Sequence, residues 1–332
     1  MIPQSLGDYA FIGPLPRPQA VPNTIERPAI DIAEMRVHAP VRLHVVLTGI
    51  RFFALACLFA RVAAAADATG VLTLLDGGAG LLRGTARYST GEGLRLQPGD
   101  ILETADKAFV QIEFAGGAVV ALGARSRILV LRSPASSLGA AQLFLLEGWL
   151  KLSAREGGQA ARLECLTPLF SLGPAKAIAV ARVSERDGEV FAEAGTVPIA
   201  DLSAEGRVES TRQLREGELY SRSPSRRSAV APRPSQSFVA AMPREFRDNL
   251  MPRLAALKRS DTPPKRAAEF RYEEVEAWLN TTPAVRTVLV EAWREKLGDP
   301  AFREAVKANL KRYPEWERVL HPAHAGEGRT KP

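Results

Sequence analysis

"LETADKAFVQIEFAGGAVVALGARSRILVL", residues Leu102 to Leu131, decides the fold. Val110, Ile112 and Phe114 fall on one side of an extended chain and Gln111 and Glu113 on the other, the period of two expected of a strand with one face on a core. Ala115, Gly116 and Gly117 then turn the chain into a second run, Ala118 to Leu122, because glycine supplies the positive φ that tight hairpins need. The stretch contains no His and no Cys. By composition it is a scaffold rather than a centre of chemistry.

The same pattern continues on both sides. Val71–Leu75 and Leu81–Arg83 are strand candidates split by "DGGAG"; Arg127–Leu131, Gln142–Leu146, Leu150–Ser153 and Arg162–Leu166 follow, then Ala177–Val183, Glu189–Ala194 and Glu218–Ser221. Many short strands at turn-punctuated spacing predict a mainly β protein, an antiparallel β sandwich or roll. With 332 residues, 46% hydrophobic and 24% charged, the chain can bury one full core and a second, smaller one.

Upstream, residues 36–66 have the three parts of a secretory signal: Arg36, Arg42 and Arg51, an apolar run from Phe52 to Ala60, and the small pair Ala64 and Ala66. The expectation is cleavage after Ala66 and a periplasmic protein beginning at Asp67. The competing reading is an uncleaved inner-membrane anchor, Leu43 to Ala60; it places Arg51 near the middle of the span, at a cost of about 2.5 to 3.5 kcal/mol. Residues 1–35 are proline-rich and read as disordered, and Met35 offers an alternative start.

Downstream, residues 223–266 change character. From Arg222 to Arg266 there are 11 basic and 3 acidic residues, and "SRSPSRRSAVAPRPSQS" has the composition of a flexible basic linker, with a short helix expected over Arg244–Lys258. Residues 267–320 are a small α-helical C-terminal module. Tyr272, Val275, Trp278 and Leu279 share one helix face; Thr282-Pro283 and Asp299-Pro300 open two more helices, and Gly298 ends the earlier of them. Trp278, Trp293 and Trp316 read as core. About 50 residues of helix are marginal alone, so docking on another surface is expected. Residues 321–332 read as a disordered tail.

Enzyme constellations are sparse. After a cleaved leader the first His is His321, so Ser-His and Cys-His nucleophilic systems lack a base within the folded parts. Cys165 then stands alone and reads as a small buried hydrophobe, and neither a metal site nor a cofactor is expected. "DGGAG" lacks the lysine and helix of a phosphate loop. Asp100, Glu103, Asp106 and Glu113 lie in one neighbourhood and make a carboxylate-dependent wall hydrolase the third-ranked reading. For binding, Arg222, Arg226, Arg227 and Arg233 are candidates to contact an anionic envelope component. No aromatic residues interleave with them, as single-stranded nucleic acid would need.

"LQPGDILETADKAFVQIEFAGGAVVALGARSRILV" resembles the FecR domain. The motif positions are Gly99, Asp100 and Thr104, the strand Val110–Phe114, Gly116 and Gly117, then Gly123 and Ser126. "LLEGWLKL" at 145–152, "LTP" at 166–168, "GEVFAEAGTVPI" at 188–199 and "LREGELYSR" at 214–222 look like later parts of that domain, which would span residues 67–222. The chain departs from the family after Pro168 and at Ala115. The resemblance implies an all-β periplasmic domain that works by binding. The leading expectation is an exported, non-catalytic FecR-domain protein that binds an envelope protein or component, with a role in signalling. The alternative is a membrane-anchored regulator relaying a periplasmic signal to a sigma factor.

Overall fold

The computed structural model describes residues 70–114, 117–131, 140–154, 162–173, 175–257 and 262–321. The leader with its cleavage point, the competing anchor Leu43–Ala60, Gly116 and the tail beyond His321 lie outside the described residues.

The chain first forms β1 (Gly70–Asp76), β2 (Ala79–Arg83), β3 (Ala86–Ser89), β4 (Arg95–Leu96), β5 (Ile101–Thr104), β6 (Phe109–Phe114), β7 (Ala118–Leu122) and β8 (Arg127–Leu131). Next come the long β9 (Ala140–Ala154), then β10 (Arg162–Leu166), β11 (Phe170–Leu172), β12 (Ile178–Val183), β13 (Gly188–Ala194), β14 (Val197–Leu202), β15 (Val208–Leu214), β16 (Leu219–Ser223) and β17 (Arg226–Ala231). Helix α1 (Gln236–Ala241) precedes β18 (Lys265–Glu269), and α2 (Tyr272–Leu279), α3 (Pro283–Ala292), α4 (Pro300–Ala308) and α5 (Glu317–Leu320) follow.

Strand pairing gives two sheets. Sheet A runs β4-β1-β6-β7-β9-β12-β13-β16-β17. Sheet B runs β18-β3-β2-β5-β8-β9-β10-β11-β14-β15. All these pairs are antiparallel except β9 with β10. Strand β9 belongs to both sheets: its first half pairs with β8 and β10, its second with β7 and β12. The change of sheet falls at Gly148, with φ +102°, where a Cβ would sit 2.4 Å from Ser126 Cα. Only glycine fits both the backbone angle and the space. The core-facing residues switch from Leu143 and Leu145 before it to Leu150 and Leu152 after it.

The sandwich core lies between the sheets, with Leu72, Leu102, Ile112, Val120, Leu145, Leu150 and Tyr220 among its buried members. Unlike a simple sandwich, both outer faces also carry a cover, that of sheet B in part. Over sheet B, the C-terminal helices close on Leu82, Ile101, Leu129, Leu131 and Phe144 with Trp278, Trp293, Phe302 and Trp316. The helical module thus docks as its small size requires, and its three tryptophans are core residues, each at most 1% exposed. Pro283 and Pro300 both open helices; Asp299 accepts backbone hydrogen bonds from Ala301 and Phe302, whereas Thr282 makes no side-chain cap. Gly298 closes a 3-10 turn, Arg294–Gly298, rather than α3 itself.

Over sheet A lies the segment expected to be a linker. Arg226–Ala231 pairs with β16 as a strand, and the expected helix Arg244–Lys258 is replaced by α1 and two 3-10 turns, Arg244–Arg247 and Leu254–Ala256. Phe238, Phe246 and Leu250 from this strap bury themselves against Phe109, Val119, Ala121, Val180 and Leu219. Ser, Pro and Arg dominate its composition, but three apolar side chains in register with an uncovered sheet face hold it. Each contributes about 1.5 to 3 kcal/mol by leaving water. Among the described residues no helix is long and apolar enough to cross a membrane.

Candidate functional site

Three of the motif residues that suggested a family, Thr104, Gly123 and Ser126, gather at the corner where β9 changes sheets. Thr104 Oγ1 donates to the Gly123 carbonyl at 2.6 Å and accepts from the Ser126 amide at 2.7 Å. Ser126 Oγ accepts from the Trp149 amide at 2.9 Å and lies 2.9 Å from the Gly123 carbonyl. These two hydroxyls satisfy backbone groups that no ladder reaches, so they fix the corner. Gly123 leaves room for the strap: a Cβ there would meet Pro243 Cγ at 2.8 Å and Trp149 Cβ at 3.0 Å. Gly99 and Gly117 take φ +94° and +92° in turns.

The neighbouring carboxylates do not converge. Asp100, 1% exposed, holds Arg83 in a two-pronged pair, Nε to Oδ1 at 2.7 Å and Nη2 to Oδ2 at 2.6 Å, and accepts the Gln97 amide at 2.7 Å. Glu103 pairs with Arg87 and Arg127, while Asp106 is exposed beside Arg125. Glu113 accepts the amides of Arg253 and Leu254 at 2.5 and 3.1 Å. Each acid is engaged by a different partner, and the arrangement builds structure instead of presenting an acid and a base across a cleft.

The four candidate arginines divide. Arg222 is an internal brace: Nη1 lies 3.0 Å from Asp201 Oδ2, and Nη2 donates to Glu209 at 2.7 Å and to the Leu202 carbonyl at 2.8 Å. Arg226, Arg227 and Arg233 are exposed, and none of their side chains has an ion-pair or hydrogen-bond partner among the described residues. Arg226 and Arg227 lie on β17, the last strand of sheet A.

Asp201, to which Arg222 belongs, was not legible as a centre. Its carboxylate accepts from Ser228 Oγ at 2.6 Å, Tyr220 OH at 2.7 Å and Ser210 Oγ at 2.9 Å, with Arg212 Nη2 at 3.2 Å. Burial pushes this carboxyl up, but the hydrogen bonds from Ser228, Tyr220 and Ser210 and the charge of Arg212 outweigh it and hold the group below the ordinary carboxylate range. The donors come from β15 of sheet B and from β16 and β17 of sheet A, so Asp201 clasps the two sheets at their open end.

Gln111, Glu113 and Lys151 were also missed as contact residues. All three are buried on the outer face of sheet A, where they bond the strap. A signal was present: each polar side chain is flanked by large apolar neighbours in a strand, the pattern of a sheet covered on both faces.

No family model matches the chain, and no curated protein matches it. Similar solved structures include two crystal structures of a "putative anti-sigma factor" from Parabacteroides distasonis ATCC 8503, at 14% and 16% identity and a TM-score of 0.34 in each case. The match covers 42% of this chain and 62% and 63% of those chains, respectively.

Proposed function

We propose that this chain is an exported, non-catalytic binding protein of the FecR type that acts in the cell envelope, within a signalling system. One observation carries the reading: the polar residues of the motif are consumed internally, Thr104 and Ser126 in holding a corner of the sandwich and Asp100 in pairing with Arg83. A motif of that kind maintains a shape, and a maintained shape serves recognition. The exposed, unpaired cations Arg226, Arg227 and Arg233 make an anionic envelope protein or component the favoured partner.

Export and binding are tested separately. Mass spectrometry of the chain recovered from the envelope is expected to find Asp67 at the N-terminus; a chain starting at Met1 or Met35 in the membrane fraction would instead support the anchored regulator. Binding to native envelope material should weaken steeply as salt rises and be reduced in Arg226→Glu with Arg227→Glu. Salt-independent binding that tolerates both changes removes these arginines from the contact.

A further inference from the structure

The C-terminal helices cover only part of the outer face of sheet B. Between α3 and strands β9, β10, β11 and β14 runs a groove of about 720 Å³, within the roughly 300 to 1,000 Å³ typical of ligand sites. Phe144, Leu166, Leu202 and Val285 line it, and Val208 and Val288 stand at its rim, 61% and 39% exposed. These two are among the few large hydrophobic side chains that the described residues leave in water.

The charge along this groove is one-sided. The chain has 44 Lys and Arg against 37 Asp and Glu, yet the charged residues lining the groove, among those described, are Glu164 and Glu291. Glu164 accepts a hydrogen bond from Gln142 at 2.7 Å, which leaves its charge uncancelled. Glu291 meets Arg294 at 3.2 Å in a pair whose members are both more than half exposed, so the pair is weak.

We propose that this groove binds a partner's peptide segment that is apolar along its length and flanked by Lys or Arg. The apolar lining and the exposed valines supply the burial, and the two carboxylates select the flanking charge. A phosphate-bearing lipid would be repelled by the same carboxylates. A second copy of this chain, docking the same patch on itself, would set acid against acid. The site lies on sheet B, whereas Arg226 and Arg227 lie on sheet A, so the proposal goes beyond the anionic contact argued above.

The test is fluorescence anisotropy of the full chain with a labelled peptide of Leu and Val bearing a Lys pair at each end, against the same core bearing Glu pairs. The Lys-flanked peptide is expected to bind, and Val288→Asp to weaken it by roughly tenfold or more. Val208→Asp is the second variant, since its site is more exposed and a change there spares α3. Glu164→Gln with Glu291→Gln should erase the preference between the peptides. Equal binding of the two peptides to the unmodified chain, failure of the Lys-flanked peptide to bind, or indifference to both valine changes overturns the proposal. Binding of phosphatidylglycerol vesicles that Val288→Asp abolishes would assign the groove to lipid and also overturn it. Arg226→Glu with Arg227→Glu should leave peptide binding unchanged, so the two readings fail separately.

Discussion

Lys151 Nζ lies 2.6 Å from the carbonyl oxygen of Phe246, a hydrogen bond spanning 95 residues of sequence, and the lysine side chain is wholly buried. The same ammonium reaches the Asp248 carbonyl at 3.1 Å and Glu193 at 2.8 Å. A buried cation is tolerated only when its donors are satisfied, and here the carbonyls that satisfy it belong to the strap. Lys151 is therefore the polar bolt of the apolar cover over sheet A.

Replacing that bolt with an apolar side chain of similar length strands two carbonyls. Lys151→Met should cost about 2 to 3 kcal/mol, read by urea denaturation. Limited proteolysis should cut earlier between Gln236 and Leu257. An unchanged urea midpoint and an unchanged cleavage pattern would show that Phe238, Phe246 and Leu250 hold the strap by themselves.

Two glycines with similar backbone angles make a paired prediction. Gly148→Ala would drive a Cβ into Ser126 Cα at 2.4 Å, whereas Gly99→Ala meets nothing within 4 Å. Gly99→Ala should lose only the backbone strain, about 1 to 3 kcal/mol. Gly148→Ala should lose clearly more, or fail to fold, because backbone must move. Equal losses in thermal unfolding would mean that the corner yields freely.

Acid should open the clasp at Asp201. Its folded carboxyl is held below the ordinary value of 3.8, so its contribution is complete above that value and is lost as pH falls through the folded one. Asp201→Asn should be less stable than the parent at neutral pH and should show a shallower decline in denaturant midpoint from about pH 5 downward. Parallel declines in the two proteins would place the acid sensitivity elsewhere.

Burial pushes the Cys165 thiol up to about 12, against a smaller opposing effect from a hydrogen bond with the Leu145 backbone, so the thiolate is scarce at neutral pH. Iodoacetamide should leave Cys165 unmodified in the native protein and label it once urea unfolds the sandwich. Native labelling at the rate of a free thiol would show that β10 opens readily.

Much of the sheet was legible because its strands carry apolar residues in alternation and end at glycines: Phe109–Phe114, Ala118–Leu122 and Arg127–Leu131 lie where the opening stretch places them. Strands β3, β4, β5, β11, β14, β15, β17 and β18 have no counterpart among the strand candidates. β15 and β17 are largely exposed edge strands, ordered by pairing with a neighbour rather than by a buried stripe of their own. The strap was misread for a related reason: its few anchors are spaced along irregular backbone and follow neither a period of two nor one of 3.6. At the site, Asp100, Thr104 and Ser126 were found by motif; Asp100 bonds Arg83, and the two hydroxyls bond backbone groups at the corner. Asp201 was invisible because its donors come from three other strands, an encounter that only the folded topology creates.

Strand β9 serves two sheets, and this sets what change the protein tolerates over time. Exchanging one side chain along Ala140–Ala154 disturbs a single neighbourhood. Adding or deleting one residue there would slide a ladder past its partners and turn inward-facing leucines outward in one half of the molecule. Length variation among descendants of this chain should therefore collect in the connections, while the count from Ala140 to Ala154 stays fixed.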